Sequence, residues 1–353
     1  MKIHVFGSDF IRTGTITSYI SLIWEERYSH RGYFQLVAVD TPENIRMLQV
    51  DSRLWQNGKR TSMIIKHVKQ DSSTRQIIAN GYTAVDRLRN RVFANTIRFN
   101  NIEAGIRSMI SNNTTGDRSL SRFVLAPSAG FHQSHQTEMT GYELLEAAHI
   151  LALEGQLGFV CEFDHRNRRD VFAIYQGENK TVGSGVAAPV LFKDDFGNLP
   201  NMRIVDDKSL FKNFAYVAGT GEADQRIVIT VGTATGDARY EHYVDARDVQ
   251  PDREAGETAS SPSYLNRLRG RGMERLSERV RARSFTAEVR APQFGDTVLL
   301  GDLVTCISRR YNVRLNTRIL GFREITENNA MRRELVFGNA EFTWLQVNSM
   351  NMR

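Results

Sequence analysis

Apolar and polar residues alternate with a period of two through much of the first third of the chain. Tyr33-Phe-Gln-Leu-Val-Ala-Val39, Ser62-Met-Ile-Ile-Lys-His-Val68 and Thr74-Arg-Gln-Ile-Ile-Ala79 each place successive side chains on opposite sides of an extended backbone, as strands of one half-buried sheet do. Between the first two, Thr41-Pro42-Glu43 is a helix start with Pro at the first helical position, followed by Ile45, Met47 and Leu48. Gly81 opens Tyr82-Thr-Ala-Val-Asp-Arg-Leu88, where Val85 and Leu88 are spaced as one turn of helix, and this first module ends near Phe93. From residue 96 the period changes: Ile102, Ile106, Met109 and Ile110 predict a helix that Asn112-Asn113 stops. Thr140-Gly-Tyr-Glu143 has the spacing of a capping box ahead of a second helix, buried through Leu144, Leu145, Ala148 and Leu151. Leu157 to Phe163 and Asp170 to Tyr175, joined by the polar turn Asp164-His-Arg-Asn-Arg-Arg169, predict a hairpin.

The last third returns to strands at residues 214–218, 226–231, 239–244, 304–307, 317–325 and 334–337, which suggest a second barrel or sandwich. One segment interrupts them. From Ser261-Pro262 to about Arg283, Leu265, Leu268, Leu276 and Val280 give an imperfect apolar face to a basic helix that Gly270 and Gly272 weaken. A further strand-like stretch, residues 18–39, carries Trp24-Glu25-Glu26-Arg27-Tyr28 just before a Gly turn, and raises the choice between a chemical site and a sheet edge that needs a partner.

At 353 residues the chain is long enough for two or three domains, and its 41% hydrophobic and 24% charged residues suit a soluble globular protein. No stretch approaches the roughly 18 apolar residues of a membrane span, and the mixed N-terminus MKIHVFGSDF is not that of a secretory peptide. Cys161 and Cys306 lie far apart without CxxC spacing, which argues against a disulfide framework and a zinc site. A net charge of +6 is modest for this length, so a dedicated nucleic-acid binder is disfavoured; the local exception is the arginine-dense stretch 267–290.

The candidate chemistry is thin. His132, His135 and Glu138 stand at three-residue steps as metal ligands on a helix would, but they fall in a polar loop, and a surface loop is the favoured reading. Cys161 precedes His242 in the order a thiol hydrolase needs, yet it alternates with Phe159 and Phe163 as a core residue does, and Cys306 alternates likewise with Val304. Gly219-Thr-Gly-Glu-Ala-Asp-Gln-Arg226 begins like a phosphate loop but lies between two strands with no helix behind it. Asp194-Asp195 has the composition of a turn. The arginine-rich helix, with Glu274 and Glu278 interspersed, is read as a solvated face, with protein contact as its main alternative. No catalytic, cofactor or metal residue is therefore assigned.

Several stretches in the same order resemble the bacteriophage tail hub proteins, in particular the Gp37-like family of siphophage tails. They are Trp24-Glu-Glu-Arg27-Tyr28 with Gly32-Tyr-Phe-Gln-Leu36, Gly81 to Arg91, Gly158-Phe-Val with Phe196-Gly-Asn-Leu199, and Val217-Ala-Gly-Thr-Gly-Glu222 with Arg226. Tyr243-Val-Asp-Ala-Arg-Asp248, Leu300-Gly-Asp-Leu-Val304 and Arg318-Ile319 complete the set, which covers most of the chain.

This resemblance implies a mainly β chain with α+β parts: a first tube-like β-barrel over 1–95, a small α+β domain over 96–204, and a second barrel over 205–353 with a helical insertion at 260–290. It implies a structural hub of a tail tip or baseplate, a homotrimer whose six barrels face a six-fold tail tube. Tail tube or distal tail protein would lie above and spike, fibre or tape-measure protein below, with DNA only in transit and no stable membrane binding. The location implied is the virion tail, assembled in the host cytoplasm. Trp24, Glu25, Glu26 and Arg27, and Arg267, Arg269 and Arg271, are expected at subunit interfaces, and the lumen is expected to be acidic or neutral so that DNA is not gripped. The end at Arg353 leaves no room for a peptidase, lysin or fibre-binding extension, so penetration is expected of other chains. The rival readings are a tail-associated cell-wall hydrolase and a nucleic-acid-binding module using the 267–290 stretch.

Overall fold

The protein is described by a computed structural model that covers residues 2–193, 203–279, 281–288, 298–310, 312–327 and 330–338. The chain begins with β1 (Ile3–Phe6), β2 (Arg12–Ile16), β3 (Ser21–Arg27), β4 (Tyr33–Val39), helix α1 (Pro42–Met47), β5 (Arg53–Trp55), β6 (Met63–Asp71) and β7 (Gln76–Thr83). A 3-10 segment, Ala84–Asn90, leads to β8 (Ile97–Asn101), α2 (Ile102–Asn113), β9 (Phe123–Leu125), β10 (Ser134–Met139), α3 (Leu144–Gly155), β11 (Gly158–Asp164) and β12 (Arg169–Tyr175). There follow β13 (Asn179–Lys180), β14 (Leu191–Lys193), β15 (Arg203–Asp207), β16 (Phe214–Ala218), β17 (Val228–Val231) and β18 (Glu241–Asp245). The last elements are α4 (Pro262–Ser277), β19 (Ala282–Glu288), β20 (Leu303–Ser308), β21 (Val313–Glu327) and β22 (Ala330–Gly338).

The alternating residues form the strands their period predicts. In β4, Phe34, Leu36 and Ala38 turn inward, and in β7 Ile77 and Ala79 do the same, joining Trp24, Met63 and Ile65 in one core. Each fully buried Phe, Leu, Ile or Met side chain among them contributes about 1.5–3 kcal/mol. Thr41 caps α1, its hydroxyl accepting the Asn44 amide at 3.2 Å, and Met47 and Leu48 enter the same core. Gly81 lies inside β7 rather than opening a helix. It sits where β6 bulges after Ile65, and a Cβ there would stand 1.9 Å from the Ile64 carbonyl oxygen.

The first and last thirds of the chain belong to one 14-stranded sheet, in the order β15-β19-β22-β21-β3-β4-β7-β6-β5-β1-β2, with β20 on β21 and both β13 and β14 on β20. Strand β21 makes this possible by its length. Its first half pairs with β20, and its second half, Gly321 to Glu327, pairs antiparallel with β3 from Arg27 to Ser21.

The middle of the chain packs α2 and α3 against the sheet β11-β12-β9, around Ile106, Leu145, Phe159, Cys161 and Phe172. Val85, Leu88 and Phe93 join that core from the 3-10 segment and its end. The capping box expected at Thr140 does not form. Gly141, at φ +78°, turns the chain so that Glu143 is the N-cap residue of α3, without a side-chain cap. The Thr140 hydroxyl instead lies 2.7 Å from that of Thr96, and Glu143 pairs with Arg89 at 3.3 Å. His135 and Glu138 fall in β10, paired with β8, and not in a polar loop.

A second small sheet, β17-β16-β18, is covered on one face by α4, through Val217, Val231, Val244, Tyr264 and Leu268. Gly272, which weakens α4 as an isolated helix, lets it come close to the sheet: a Cβ there would lie 2.7 Å from Val217 Cγ2 and 2.8 Å from Val231 Cγ2. The stretch 267–290 is not one basic helix, since α4 ends at Ser277 and residues 282–288 form β19.

Candidate functional site

The opening question of Trp24 to Tyr28 is settled by pairing. Strand β3 is held by β4 on one side and by β21 on the other, so this segment is the seam between the first and last thirds of the sheet. Trp24 is fully buried, and its indole N–H donates to Glu26 at 3.2 Å. Glu25, 5% exposed, accepts from Arg27 Nε at 2.7 Å and from Arg323 Nε and Nη2 at 2.9 and 2.5 Å. A second network ties Glu26 to the seam from the loop after β5: Lys59 Nζ lies 3.2 Å from Glu26 and 2.6 Å from Glu324, which also meets Arg333 at 3.0 Å. Burial opposes the Lys59 charge, and Glu26 and Glu324 together outweigh it, raising its pKa.

Tyr28 pins three parts of the chain together. Its hydroxyl donates to the Gln156 carbonyl at 3.0 Å and accepts the Gly177 amide at 3.4 Å; its own amide donates to Leu320 and its carbonyl accepts from Phe159, both at 2.9 Å. Arg318 lies over its ring at 5.4 Å, and two glycines pack against the ring edge. A Cβ on either Gly158 or Gly301 would come within 2.2 Å of Tyr28 Cε2. Gly301 also has φ +91°, and Gly177 stands against it so closely that a Cβ would be 2.0 Å from the Gly301 carbonyl carbon. Arg318, buried, donates to the Gly301 carbonyl and, at 3.2 Å, to Gln156 Oε1. Burial pushes the Tyr28 phenol above its usual range.

Asp302 completes the joint. It is 1% exposed and accepts from the Glu178 amide at 2.9 Å, the Leu299 amide at 2.9 Å and Lys180 Nζ at 2.8 Å. The Leu300-Gly-Asp-Leu-Val304 element thus has a physical reason: Gly301 for the backbone and the Tyr28 contact, Asp302 for the three donors, Val304 for the core. A comparable buried acid, Asp170, joins the middle region to the first sheet. It accepts from Arg53 at 2.9 and 2.8 Å and from Arg87 at 2.5 Å.

These segments border a cleft of about 1030 Å3, lined among others by Glu26, Arg27, His30, Lys59, Asp302 and Glu324. Its chemistry is that of a locked joint. The acids Glu26, Asp302 and Glu324 are engaged by cations, and burial followed by the neighbouring His149 pushes His30 down to about 3, so it stays neutral. Cys161 also borders the cleft, but its thiol is fully buried and burial raises its pKa, which leaves no thiolate to act as nucleophile.

Two further motifs meet on the small sheet. Arg226 donates to the Gly219 carbonyl at 3.2 Å and to Asp245 at 2.8 Å, which brings the Gly219 loop against the Val-Asp-Ala-Arg-Asp element. Asp245, bonded by Arg247, is held down to about 2. The Gly219 segment joins β16 to β17 as a hairpin loop, with its Thr220 amide donating to Tyr264 of α4 at 2.8 Å.

The solvated-face reading of α4 fails at two of its arginines. Arg267 and Arg271 are each 5% exposed, because the close approach of the helix to its sheet turns them onto nearby acids. Arg267 pairs with Glu257 at 2.7 Å and Arg271 with Asp248 at 2.9 Å, while Arg269 is exposed. Of the residues offered for a subunit interface, Trp24, Glu25, Arg267 and Arg271 are therefore buried within the chain, Glu26 and Arg27 are half-buried, and Arg269 faces solvent. His132 is exposed, and the side chains of His135 and Glu138, like Asp194 and Asp195, lie outside the described residues. Among the described residues, no three His, Cys, Asp or Glu side chains are grouped to hold a metal ion, and no helix is long and apolar enough to cross a membrane. Sequence reasoning missed Tyr28 and Asp170 as joints. Their side-chain partners lie more than eighty residues away, and the signal in reach was glycine at 158, 177 and 301 beside strand ends.

The model of the family described as Siphovirus ReqiPepy6 Gp37-like protein matches residues 2–339. No curated protein matches the chain. Among solved structures, the chain is similar to a tail protein from Neisseria meningitidis MC58, with 11% identity, a TM-score of 0.60 and 98% of each chain covered. It is likewise similar to prophage tail protein gp18 from Listeria monocytogenes EGD-e, with 13% identity, a TM-score of 0.58 and 100% of this chain and 98% of that one covered. The 43 kDa tail protein of prophage MuSo2 from Shewanella oneidensis gives 11% identity and a TM-score of 0.60, over 96% of this chain and 98% of that one. At such identities the likeness establishes a shared, mostly β fold of phage tail proteins.

Proposed function

The chain belongs to the Siphovirus ReqiPepy6 Gp37-like family, and from that membership we propose that it is a structural hub of a phage tail tip or baseplate, without catalytic activity. In this reading three copies form a ring that joins the six-fold tail tube above to the three-fold spike or fibre apparatus below and lets DNA pass. The observation that carries the reading is the continuous sheet through β3 and β21, pinned at Tyr28 and Asp302, which binds the first, middle and last parts of the chain into one stiff body. A load-bearing ring element needs such a body more than it needs an active site. We divide the chain into tube domains over 1–95 and 205–353, the latter carrying the helical insertion at 260–290, with an α+β domain over 96–204 outside the tube except for β13 and β14, which add to the sheet at β20. Arg269 is the arginine of α4 placed to reach a neighbour directly, with Arg267 and Arg271 fixing the loops beside it, while Trp24 and Glu25 act by fixing the seam at β3. The lumen is acidic or neutral.

Electron microscopy of the purified chain at high concentration, alone and with the tail tube protein of the same phage, tests this. Class averages with a three-fold ring around a hole are expected. Single globules under both conditions would overturn the ring.

A further inference from the structure

The chain's exposed positive charge gathers at a place the arginine-rich stretch did not indicate. The turn joining β11 to β12 carries His165, Arg166, Arg168 and Arg169, all exposed, and the start of β2 and the loop before β9 add Arg12 and Arg122. The two turns are held side by side by stacked rings. His165 lies 4.8 Å from Trp55 at 29°, Trp55 lies 5.9 Å from His4, and Phe163 meets Phe6 at 5.0 Å and Phe10 at 5.9 Å beneath them. Arg122 reaches the Arg168 carbonyl at 3.5 Å, closing the patch on its third side.

The charge there is unbalanced. Lys2, Arg12, Arg122, Arg166, Arg168 and Arg169 face two acids, Asp9 and Asp164, a surplus of four in a chain whose net charge is +6. Asp164 is already engaged by Arg169 at 3.1 Å, and Glu162 at the rim by Arg60 at 2.6 Å. The side chains of Arg166 and Arg168 have no hydrogen bond or ion pair among the described residues. A folded surface that leaves two guanidinium forks without side-chain partners, on a turn held in place by the His165 and Phe163 ring contacts, suits an anion with repeated, evenly spaced charges. The flat, exposed His165 ring beside them suits a base more than a carboxylate-bearing protein surface.

We propose that this patch binds the phosphodiester backbone of DNA without sequence preference. The site is separate from α4, where Arg267 and Arg271 are committed to acids, and it does not depend on whether the chain forms a ring.

Fluorescence anisotropy with labelled oligo(dT) and with a duplex of equal length, between about 50 and 200 mM salt, tests the assignment. Binding is expected at low salt and falls steeply as salt rises. The double variant Arg166→Ala/Arg168→Ala, whose side chains support nothing in the fold, is expected to bind about tenfold more weakly at low salt. Its slope of log K against log salt should be shallower by roughly 1.4 on the single strand, from two phosphate contacts at about 0.7 each. Arg269→Ala, exposed on α4, should bind as the parent does. Three results would overturn the proposal: no binding at the lowest salt, binding unchanged in the double variant, or displacement of DNA by polyglutamate at equal charge, which would mark a site for an acidic protein surface instead. Thermal melting of each variant keeps loss of binding distinct from loss of fold.

Discussion

Replacing Asp302 by Ala tests whether the joint between the middle and last parts is electrostatic in origin. The carboxylate is 1% exposed and serves three donors. Its loss strands two backbone N–H groups, at about 1–3 kcal/mol for each one left buried, and leaves the Lys180 ammonium without its main partner, at about 3–5 kcal/mol for a broken buried pair. These overlap, and Glu178, 3.2 Å from Lys180 with a side chain 67% exposed, keeps part of the charge compensated. We therefore expect a net loss of about 4 kcal/mol, read as a lower urea midpoint at constant slope. Lys180→Met in the same background removes the stranded charge while keeping its stem packed, and should restore about 2 kcal/mol of that loss. Losses that simply add in the double variant, or a single-variant loss under about 1 kcal/mol, would refute the reasoning. The pH dependence follows in sign. Burial disfavours the Lys180 charge, but the hydrogen bond and charge of Asp302 outweigh it and raise its folded pKa above the ordinary 10.5. The stability this gives is complete below that value and is lost as pH climbs through the higher folded one, so Lys180→Met should flatten the alkaline limb of the stability profile.

Gly58 and Gly301 have similar backbone angles, φ +86° and +91°, but a Cβ on Gly58 meets nothing within 4 Å. In chemical denaturation Gly58→Ala should cost about 1 kcal/mol from its backbone alone, and Gly301→Ala a further 1–3 kcal/mol from overlap with Tyr28; equal costs would show that the Tyr28 contact is not constraining. Arg271→Ala removes the guanidinium 3.1 Å from Glu274, which is 1% exposed and keeps, among the described residues, only the hydrogen bond from the Tyr142 hydroxyl at 3.1 Å, and should cost about 3 kcal/mol at pH 7. Burial already raises the Glu274 pKa above its ordinary 4.5, so the protonated form is the one favoured by folding, and the penalty should shrink as pH falls towards that value when urea titrations are compared across pH. Cys161 and Cys306 are both buried with thiols raised by burial, so iodoacetamide should add no mass to the native protein and two adducts after unfolding.

The elements with strong local signals were legible in the sequence. Alternation located β4, β6, β7, β11, β12 and most strands of the last third, and the spacing from Ile102 to Ile110 located α2, because in each a single buried face imposes its period on a short stretch. Strands β1 and β2 escaped that reading. In β2, Arg-Thr-Gly-Thr-Ile offers one buried residue, Ile16, and its Gly14 is explained by Met47, whose Sδ would lie 2.3 Å from a Cβ there. The helix read through to Arg283 ran past its end because arginines continue at 279, 281 and 283, from the end of α4 into β19, so the composition does not change where the structure does. The burial of Arg267 and Arg271 was hidden for a different reason: arginines on a helix look solvated until the acids they meet, in the loops before the helix, are brought beneath them. The same long-range dependence concealed Asp170, whose partners Arg53 and Arg87 sit in other segments.

The pairing of β3 with β21 changes what a ring would have to use. A strand with charged residues and a buried tryptophan beside a turn reads as an edge awaiting another subunit, and such edges are what oligomers recruit. Here both sides of that strand are taken within the chain, and the main path of the sheet ends at β2 and β15, with β13 and β14 ending the branch at β20. Arg12, Thr13 and Thr15 make β2 polar, and Asp206 and Asp207 do the same for β15, which protects both edges while the chain is alone. Among the described residues, a neighbour can add to this sheet at either of these strands or beside β13 and β14, and the seam at Trp24 ties the two halves of the sheet together inside the chain. The residues that carry the family resemblance fit that division. Gly81, Gly158, Gly301, Asp302, Arg318, Arg226 and Asp245 sit where segments cross within one chain, so the signature marks the joints that keep the body stiff and leaves the contact surfaces free to differ.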